Sequence, residues 1–388
     1  MARKTGENSI ISKQHNRGLI LQLVATGRCS SRIELSRKTR LTKMTVSNII
    51  AEFLERGLII ECEEELTEVR GRNPIILKIS PQAPKVVGLL IFRDRFEVVL
   101  SDMTLNVIKR DLIYFNDLNE DLLLEYSYKL IDKMLAFEKN ILGIGVSTIG
   151  PVDIRNEIIL SPPRFHGVHN INIGKLLRER YHYPVFVDHD NNSAALAEKL
   201  FGIGKNVQDF IFLGISNGIG SGIISNGEVF HNHNGYAPEI GHVSIDRNGE
   251  RCVCGNRGCL EQYASTYIVL DKLKKETGKD ITFKKFCSLS DNETVDTIFK
   301  EMVHDISVAL ISCVNILWPE LIVIGHESTN LHDRYLMALE DEINRLKFNQ
   351  DNRRTRVVRA HFTEDAQLLG AAANVISQAF KGNILFLK

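Results

Sequence analysis

The sequence predicts an α/β body behind a small helical head. Two observations carry this. From Lys85 onward, short and continuously apolar runs alternate with helical patterns, and such runs are what strands look like in a sheet covered on both faces. Before Lys85 the chain changes character. Residues 1–60 hold eleven Lys/Arg against four Glu, a net +7, in a chain whose formal net charge is zero.

The head reads as three helices and a hairpin. The first helix, about Lys13–Thr26, carries Leu19, Ile20, Leu23 and Val24 on one face, and Gly27 ends it. Ser31 with Glu34 reads as a capping box for a short second helix, Ser31–Lys38. Thr42 is a good N-cap for a third, about Lys43–Arg56, in which Val46, Ile49, Ile50, Phe53 and Leu54 follow helical spacing and face inward. The opposite face carries Lys43, Thr45, Ser47 and Asn48. Short polar and cationic side chains on the first turns of such a helix are what reaching base edges requires. A three-helix packing module with a polar outer face is the plainer alternative. Leu58–Cys62 and Ile75–Ile79 read as strands flanking Arg70-Gly71-Arg72-Asn73-Pro74. Two arginines around a glycine suit a narrow, strongly negative minor groove. Together these make a winged helix-turn-helix, in which Glu63, Glu64, Glu65 and Glu68 should point away from phosphate. Ser80–Pro84 reads as a linker, so the head is 1–82.

In the body, Val86–Phe92 and Phe96–Ser101 look like a hairpin and Asp121–Glu138 is helical. Ile141–Ser147, Val185–Asp188, Phe210–Ile215 and Leu321–Ile324 read as buried strands. Met302–Leu317 reads as a buried helix closed by Trp318, expected in the core, and Ala366–Phe380 as a final helix packing back on the first part of the body. No low-complexity tract or internal repeat is visible.

Chemistry concentrates between Gly235 and Ser265. His242, Cys252, Cys254 and Cys259 offer three thiolates and an imidazole, a set suited to a closed tetrahedral Zn²⁺ site. Gly255 and Gly258 let the backbone turn tightly enough to return Cys259 to the metal. Three buried free thiols near an unrelated histidine would be the plainer reading; the Cys-x-Cys-x4-Cys spacing favours the metal. A structural zinc would also fix the adjacent carboxylates, Glu239 and Glu261. Cys29, Cys62, Cys287 and Cys313 are expected to be inert thiols.

Glu-Ile-Gly-His at 239–242, followed by Cys-x-Cys-Gly-x-x-Gly-Cys-Leu-Glu at 252–261, resembles the signature of the ROK family of repressors, open reading frames and sugar kinases. The resemblance covers about residues 10–380. In the head it includes a Ser-Arg-x-x-Leu stretch (Ser31, Arg32, Leu35) and the Gly-Arg-x-Pro wing. It implies a two-lobed body of the actin and hexokinase, ribonuclease H-like type. Lobe 1 would be 83–190, completed by 366–388, and lobe 2, with the zinc loop, 191–365. Glu239, His242 and Glu261 would touch sugar hydroxyls. Asp190 matches the kinases' general base and, without phosphoryl transfer, becomes a hydroxyl acceptor; an N-cap for a helix Ser193–Phe201 is its other reading.

The nucleotide side departs from the family. Where kinases carry Gly-x-Asp-x-Gly-Gly-Thr, this chain has Gly88-Leu89-Leu90-Ile91-Phe92-Arg93-Asp94, and the adenosine-side glycine pair is Gly325-His326. Backbone N–H groups cannot approach phosphate closely past Phe92 and Arg93. Only the loop Ser216–Gly222 is partly kept. On the sugar side Arg164 and Val168 stand where the family has asparagine and tryptophan, and His189 replaces another asparagine. Arg164 and His189 facing the cleft would recognise a sugar phosphate or sugar acid; a surface loop is the alternative for Arg164.

The expectation is a cytoplasmic transcriptional regulator, a repressor of carbohydrate metabolism, with no catalytic residue and a kinase-like body that binds a carbohydrate or sugar-phosphate effector. Its partners would be a double-stranded operator and a second copy, as homodimer or dimer of dimers. DNA contacts would come from Arg32, Lys43, Thr45, Ser47, Asn48, Arg70 and Arg72; effector contacts from Arg164, Asp190, Glu239, His242 and Glu261. An active sugar kinase carrying a DNA-binding head is the alternative, and a ligand-blind dimerisation body a third. Composition is that of a soluble protein, with 44% hydrophobic and 25% charged residues. No apolar run approaches the twenty residues of a membrane span, and an odd cysteine count with metal-type spacing fits a reducing compartment.

Overall fold

The computed structural model describes residues 9–63, 75–163, 165–233, 235–348 and 353–385. The head opens with α1 (Ser9–Ala25), α2 (Arg32–Thr39) and α3 (Lys43–Glu55), followed by β1 (Ile59–Glu63) paired antiparallel with β2 (Ile75–Ile79). The caps are where the sequence puts them. Ser31 Oγ accepts from the Glu34 N–H at 3.3 Å, and Thr42 Oγ1 accepts from the Thr45 N–H at 3.1 Å. The Glu34 carboxylate reaches back to the Ser30 N–H, one residue before the cap, at 2.7 Å. Val46, Ile49, Ile50 and Phe53 are buried, and Arg17 of α1 bonds Glu52 of α3 at 2.9 Å. The wing arginines Arg70 and Arg72, with Glu64, Glu65 and Glu68, lie outside the described residues.

The body's first sheet holds β3 (Lys85–Ile91), β4 (Arg95–Ser101), β5 (Val107–Tyr114), β6 (Ile141–Thr148) and, after a two-residue hairpin β7 (Val152–Asp153) and β8 (Ile158–Ile159), β9 (Val185–His189). Its order is β5-β4-β3-β6-β9, with α4 (Glu120–Phe137) and α5 (Ile173–Tyr181) in the connections. After α6 (Asp190–Leu200) the second sheet holds β10 (Phe210–Ile215), β11 (Ile219–Ser225), β12 (Glu228–Val229), β13 (Leu321–Gly325) and β14 (Arg356–Arg359), ordered β12-β11-β10-β13-β14. Both sheets place two antiparallel pairings on one side of the first strand and two parallel pairings on the other. The body is therefore a structural repeat that residue identities do not betray, because burial asks only for apolar strands and not for particular ones.

The helices α7 (Glu261–Ala264), α8 (Thr266–Thr277), α9 (Phe283–Cys287), α10 (Glu293–Leu317) and α11 (Asp333–Leu346) belong to the second half, and α12 (Ala366–Phe380) closes the chain. Helix α6 and helix α12 are buried along nearly their whole lengths and pack on each other, with α12 also against β3, β6 and β9. The approach is backbone to backbone: a Cβ on Gly145 of β6 would lie 1.8 Å from the Ala371 carbonyl oxygen.

Three local expectations are corrected. Helix α6 starts at Asp190 rather than Ser193, and its cap is His189, whose ring nitrogen accepts from the Asn191 N–H at 3.3 Å. Helix α10 begins at Glu293, capped by Asn292, because its first turns carry apolar Val295, Ile298 and Phe299 at the same spacing as the rest. Trp318 is 43% exposed, not core: it ends α10 in a left-handed conformation that turns its ring outward.

Candidate functional site: an interlobe cleft beside a cysteine–histidine cluster

A cavity of about 510 Å³ opens between the two sheets. The end of β9 and the start of α6 bring His189, Asp190 and Asn191 to its floor; the turn after β3 brings Phe92 and Arg93; the loop after β12 brings Glu239 and His242; α7 brings Glu261. The sequence-predicted carbohydrate residues Asp190, Glu239, His242 and Glu261 thus converge. Arg164 lies outside the described residues, and Val168, buried in the core, is not part of the lining.

Asp190 is almost sealed. Its Oδ1 accepts from the N–H of Asn191 and from its Nδ2, both at 2.7 Å, and lies 3.1 Å from His189 Nδ1. Burial pushes its carboxyl above the ordinary carboxylate range; His189, Asn191 and Arg93 oppose that shift without cancelling it. Glu239 presents surface to the cavity yet lies deep between its walls, and depth governs its proton. Desolvation raises it first, helped by Asp190 and Glu261 and opposed by His189 and His242. Glu261 accepts the Ile219 N–H at 3.1 Å, which fixes it against the loop Ser216–Gly222.

Next to the cavity, the donor atoms of His242, Cys252, Cys254 and Cys259 all lie within 4.8 Å of one another. His242 Nδ1 is 3.5 Å from Cys252 Sγ, and Cys254 Sγ is 3.6 Å from Cys259 Sγ. Four donors around one ion at about 2.3 Å would sit about 3.8 Å apart, close to the two separations just given, so the donor set suits a tetrahedral metal. Gly255 and Gly258 turn the loop at φ +92° and +64°, conformations that side-chain-bearing residues avoid. The cluster can hold a metal ion, and His242 and Cys254 face both that ion's position and the cleft.

The nucleotide-side departures meet in space. The Phe92 ring stacks on His326 from the other lobe, centroids 5.2 Å apart and 26° between planes, and the Arg95 guanidinium lies 4.9 Å from the Phe92 centroid. Burial holds His326 down to about 4, so it is neutral and stacks as an aromatic ring at pH 7. Arg93, beside Asp190, donates to the Pro163 carbonyl. The lobes are also joined by His231 Nε2 to Asp188 Oδ2 at 2.9 Å.

Sequence reasoning missed Gln367 in the lining. Gln367, second residue of α12, is 1% exposed and reaches the cavity floor next to Asn191. A polar residue inside the apolar run of a buried helix was the signal available for it.

On the head, Lys43, Met44 and Asn48 are exposed on the first turns of α3, with Thr45 and Ser47 half-buried. Met44, at 75% exposed, was not singled out from sequence. Thr45 shares its hydroxyl with Thr42 at 2.9 Å, and Arg32 is held by Glu61 at 2.7 Å.

Two matching sheets around a central helix pair, with a cleft between them, define a ribonuclease H-like body of the hexokinase type of fold, here preceded by a helical head. The ROK family description matches residues 86–378, and the chain belongs to that family. It is 28% identical to the xylose repressor of Caldicellulosiruptor bescii, over 95% of this chain and 97% of that one. The structure resembles a ROK family transcriptional regulator described as a homolog of the E. coli MLC protein, with a TM-score of 0.83, 25% identity and coverage of 97% and 98% of the two chains. The ROK hexokinase from Thermus thermophilus matches at TM-score 0.65 and 25% identity, over 75% of this chain and 97% of that one.

Proposed function

We propose that the protein is a sugar-responsive transcriptional repressor. Residues 1–82 form a winged helix-turn-helix that reads an operator, and the body, lobe 1 from 83–190 with 366–388 and lobe 2 from 191–365, senses a monosaccharide without phosphorylating it. The observation that carries this reading is the Phe92–His326 stack on the nucleotide side of a cleft whose sugar-side carboxylates remain. Similarity along nearly the full length to a xylose repressor and to a ROK transcriptional regulator supports it; the hexokinase match covers 75% of this chain.

Lys43 and Asn48, with Thr45, Ser47, Met44 and the wing arginines, supply DNA contacts; Arg32 contributes after exchanging Glu61 for phosphate. The protein acts as a dimer on a two-fold site, in the cytoplasm. Asp190, Glu239, His242 and Glu261 bind sugar hydroxyls, and a structural Zn²⁺ on His242, Cys252, Cys254 and Cys259 braces the carboxylates on either side of it. The chemistry such an ion supplies is cross-linking: it ties the end of the Glu239 loop to the start of α7. Arg93 and His189 are the described cationic or ionisable groups that suit a phosphorylated sugar.

Calorimetry of the purified protein with D-xylose, D-glucose, D-mannose and their phosphates, run beside an ADP-release assay, tests this. One sugar should bind and none should drive ADP release. ADP release that is lost in Asp190→Asn would establish the kinase instead. The same titration should weaken as pH falls below neutral. The bound form uses ionised Asp190, so affinity is present above its raised pKa and lost as protons neutralise it, at a higher pH than for an ordinary aspartate. Asp190→Asn should flatten that profile at low affinity.

A further inference from the structure

We infer that Gln367 is an effector contact and that helix α12 carries occupancy of the cleft to the DNA-binding head; this rests on the sugar-sensing reading above. Neither atom of the Gln367 carboxamide, Nε2 or Oε1, has a hydrogen-bond partner among the described residues, although the residue is 1% exposed and lines the cavity. Asn191, 6% exposed and in the same lining, leaves its Oδ1 likewise unpaired while its Nδ2 serves Asp190. Both amides flank Gly214: a Cβ there would lie 2.0 Å from Asn191 Oδ1 and 3.4 Å from Gln367 Nε2. A buried carboxamide without partners is destabilising, and native interiors keep few of them. Two side by side at the cavity wall, next to a carboxylate acceptor and covered as they stand, gain partners by turning toward a ligand that both donates and accepts. Vicinal hydroxyls do this. The amides carry no charge, so they favour the neutral, hydroxyl-bearing face of the sugar.

Gln367 differs from the other sugar-side residues in where it stands. Asp190 begins α6, and Glu239 and Glu261 sit on the second half of the body, but Gln367 opens α12. That helix is 15 residues long, about 22 Å, and its far end abuts the head. A Cβ on Gly18 of α1 would lie 2.2 Å from the Phe380 carbonyl oxygen and 2.7 Å from the Gly382 nitrogen; one on Gly382 would lie 2.4 Å from the Gln14 carbonyl oxygen. With backbone against backbone and no flexible side chain between, α12 and α1 move together. A second tie runs beside it: Lys205 Nζ donates to the Thr26 carbonyl at the end of α1 at 2.7 Å, and Arg28 donates to the Lys205 carbonyl. A sugar bonded to Gln367 thus acts on a rod whose other end is the first helix of the DNA reader. It changes operator affinity to the extent that its bond to Gln367 is better in one position of α12 than another.

The test uses full-length protein with D-xylose, D-glucose and D-mannose as probes. Thermal shift first identifies the sugar that stabilises the wild type. That sugar should bind Gln367→Leu at least tenfold more weakly, while the unliganded variant melts no lower than wild type, since an orphaned amide has been removed. Saturating wild-type protein with the same sugar should change amide hydrogen exchange both in the first turn of α12 and in α1. Wild-type affinity retained in Gln367→Leu overturns the contact, and unchanged exchange in α1 overturns the relay. Should the leucine variant fail to fold, Gln367→Met takes its place, and exchange at the first turn of α12 in the wild type reads the contact without any substitution. If no probe stabilises the wild type, the carbohydrate reading itself falls and takes this inference with it; failure of Gln367→Leu alone leaves that reading standing.

Discussion

Changing Lys43 to Glu together with Asn48 to Ala should lower operator affinity at least a hundredfold and leave the fold intact. Both side chains are exposed on the first turns of α3, while Val46, Ile49, Ile50 and Phe53 hold the helix from its other face. An asparagine pairing bidentately with adenine discriminates by about 1–3 kcal/mol, and replacing a phosphate-contacting cation by an anion removes a counterion-release contribution and adds repulsion. Fluorescence anisotropy at several salt concentrations separates the two. Asn48→Ala alone should relax sequence preference with little change in salt slope, and Lys43→Glu alone should flatten the salt slope across all sequences. Wild-type affinity in the double variant would remove α3 as the reading helix.

Replacing Cys259 with Ser should release the metal and the sugar response together. Cys259 is fully buried, and its main chain pairs with Ser244 in the bridge that closes the loop. Metal binding free energy in structural zinc sites is of the order of 10–16 kcal/mol and is coupled to folding, so loss of one thiolate should lower the melting temperature by several degrees or more. Glu239 and Glu261 lie on either side of the four donors in sequence, and once that tie is cut they are no longer held at one spacing. Elemental analysis should give well under one zinc per chain, and sugar titration should show no saturable binding, whereas unliganded protein should keep its affinity for DNA. A full complement of zinc with normal sugar binding would contradict the assignment of Cys259 as a ligand.

Much of the head was legible because its signals are local. Ser31 and Thr42 cap the helices they precede, and the α3 spacing names its buried face correctly. The cysteine cluster was legible for the same reason: four donors and two turn glycines fall within one short stretch, so spacing alone constrains their geometry. Part of what escaped depends on partners far away in the chain. The departures on the nucleotide side could be read from Phe92 and from His326 separately, but not that the two side chains stack on each other across the lobes. The repeated sheet order was hidden because the strands share only apolar character. Trp318 was misassigned because hydrophobicity says nothing about a left-handed helix end that turns the ring outward. Asp190 was offered as a cap, and its neighbour His189 proved to be one: cap and first-turn positions differ by a single residue, which pattern reading does not resolve. Gln367 was passed over because the helix around it reads so well as core.

The central claim, that a body no longer built to grip ATP controls a DNA-reading head through a sugar, is tested most directly by selecting binding sites from a randomised DNA pool with the purified full-length protein, then titrating the selected site with and without saturating sugar. The account predicts a two-fold-symmetric sequence bound at least about a thousandfold more tightly than random duplex, with an affinity that shifts when the sugar is added. No sequence enriched above random, in either condition, would contradict it.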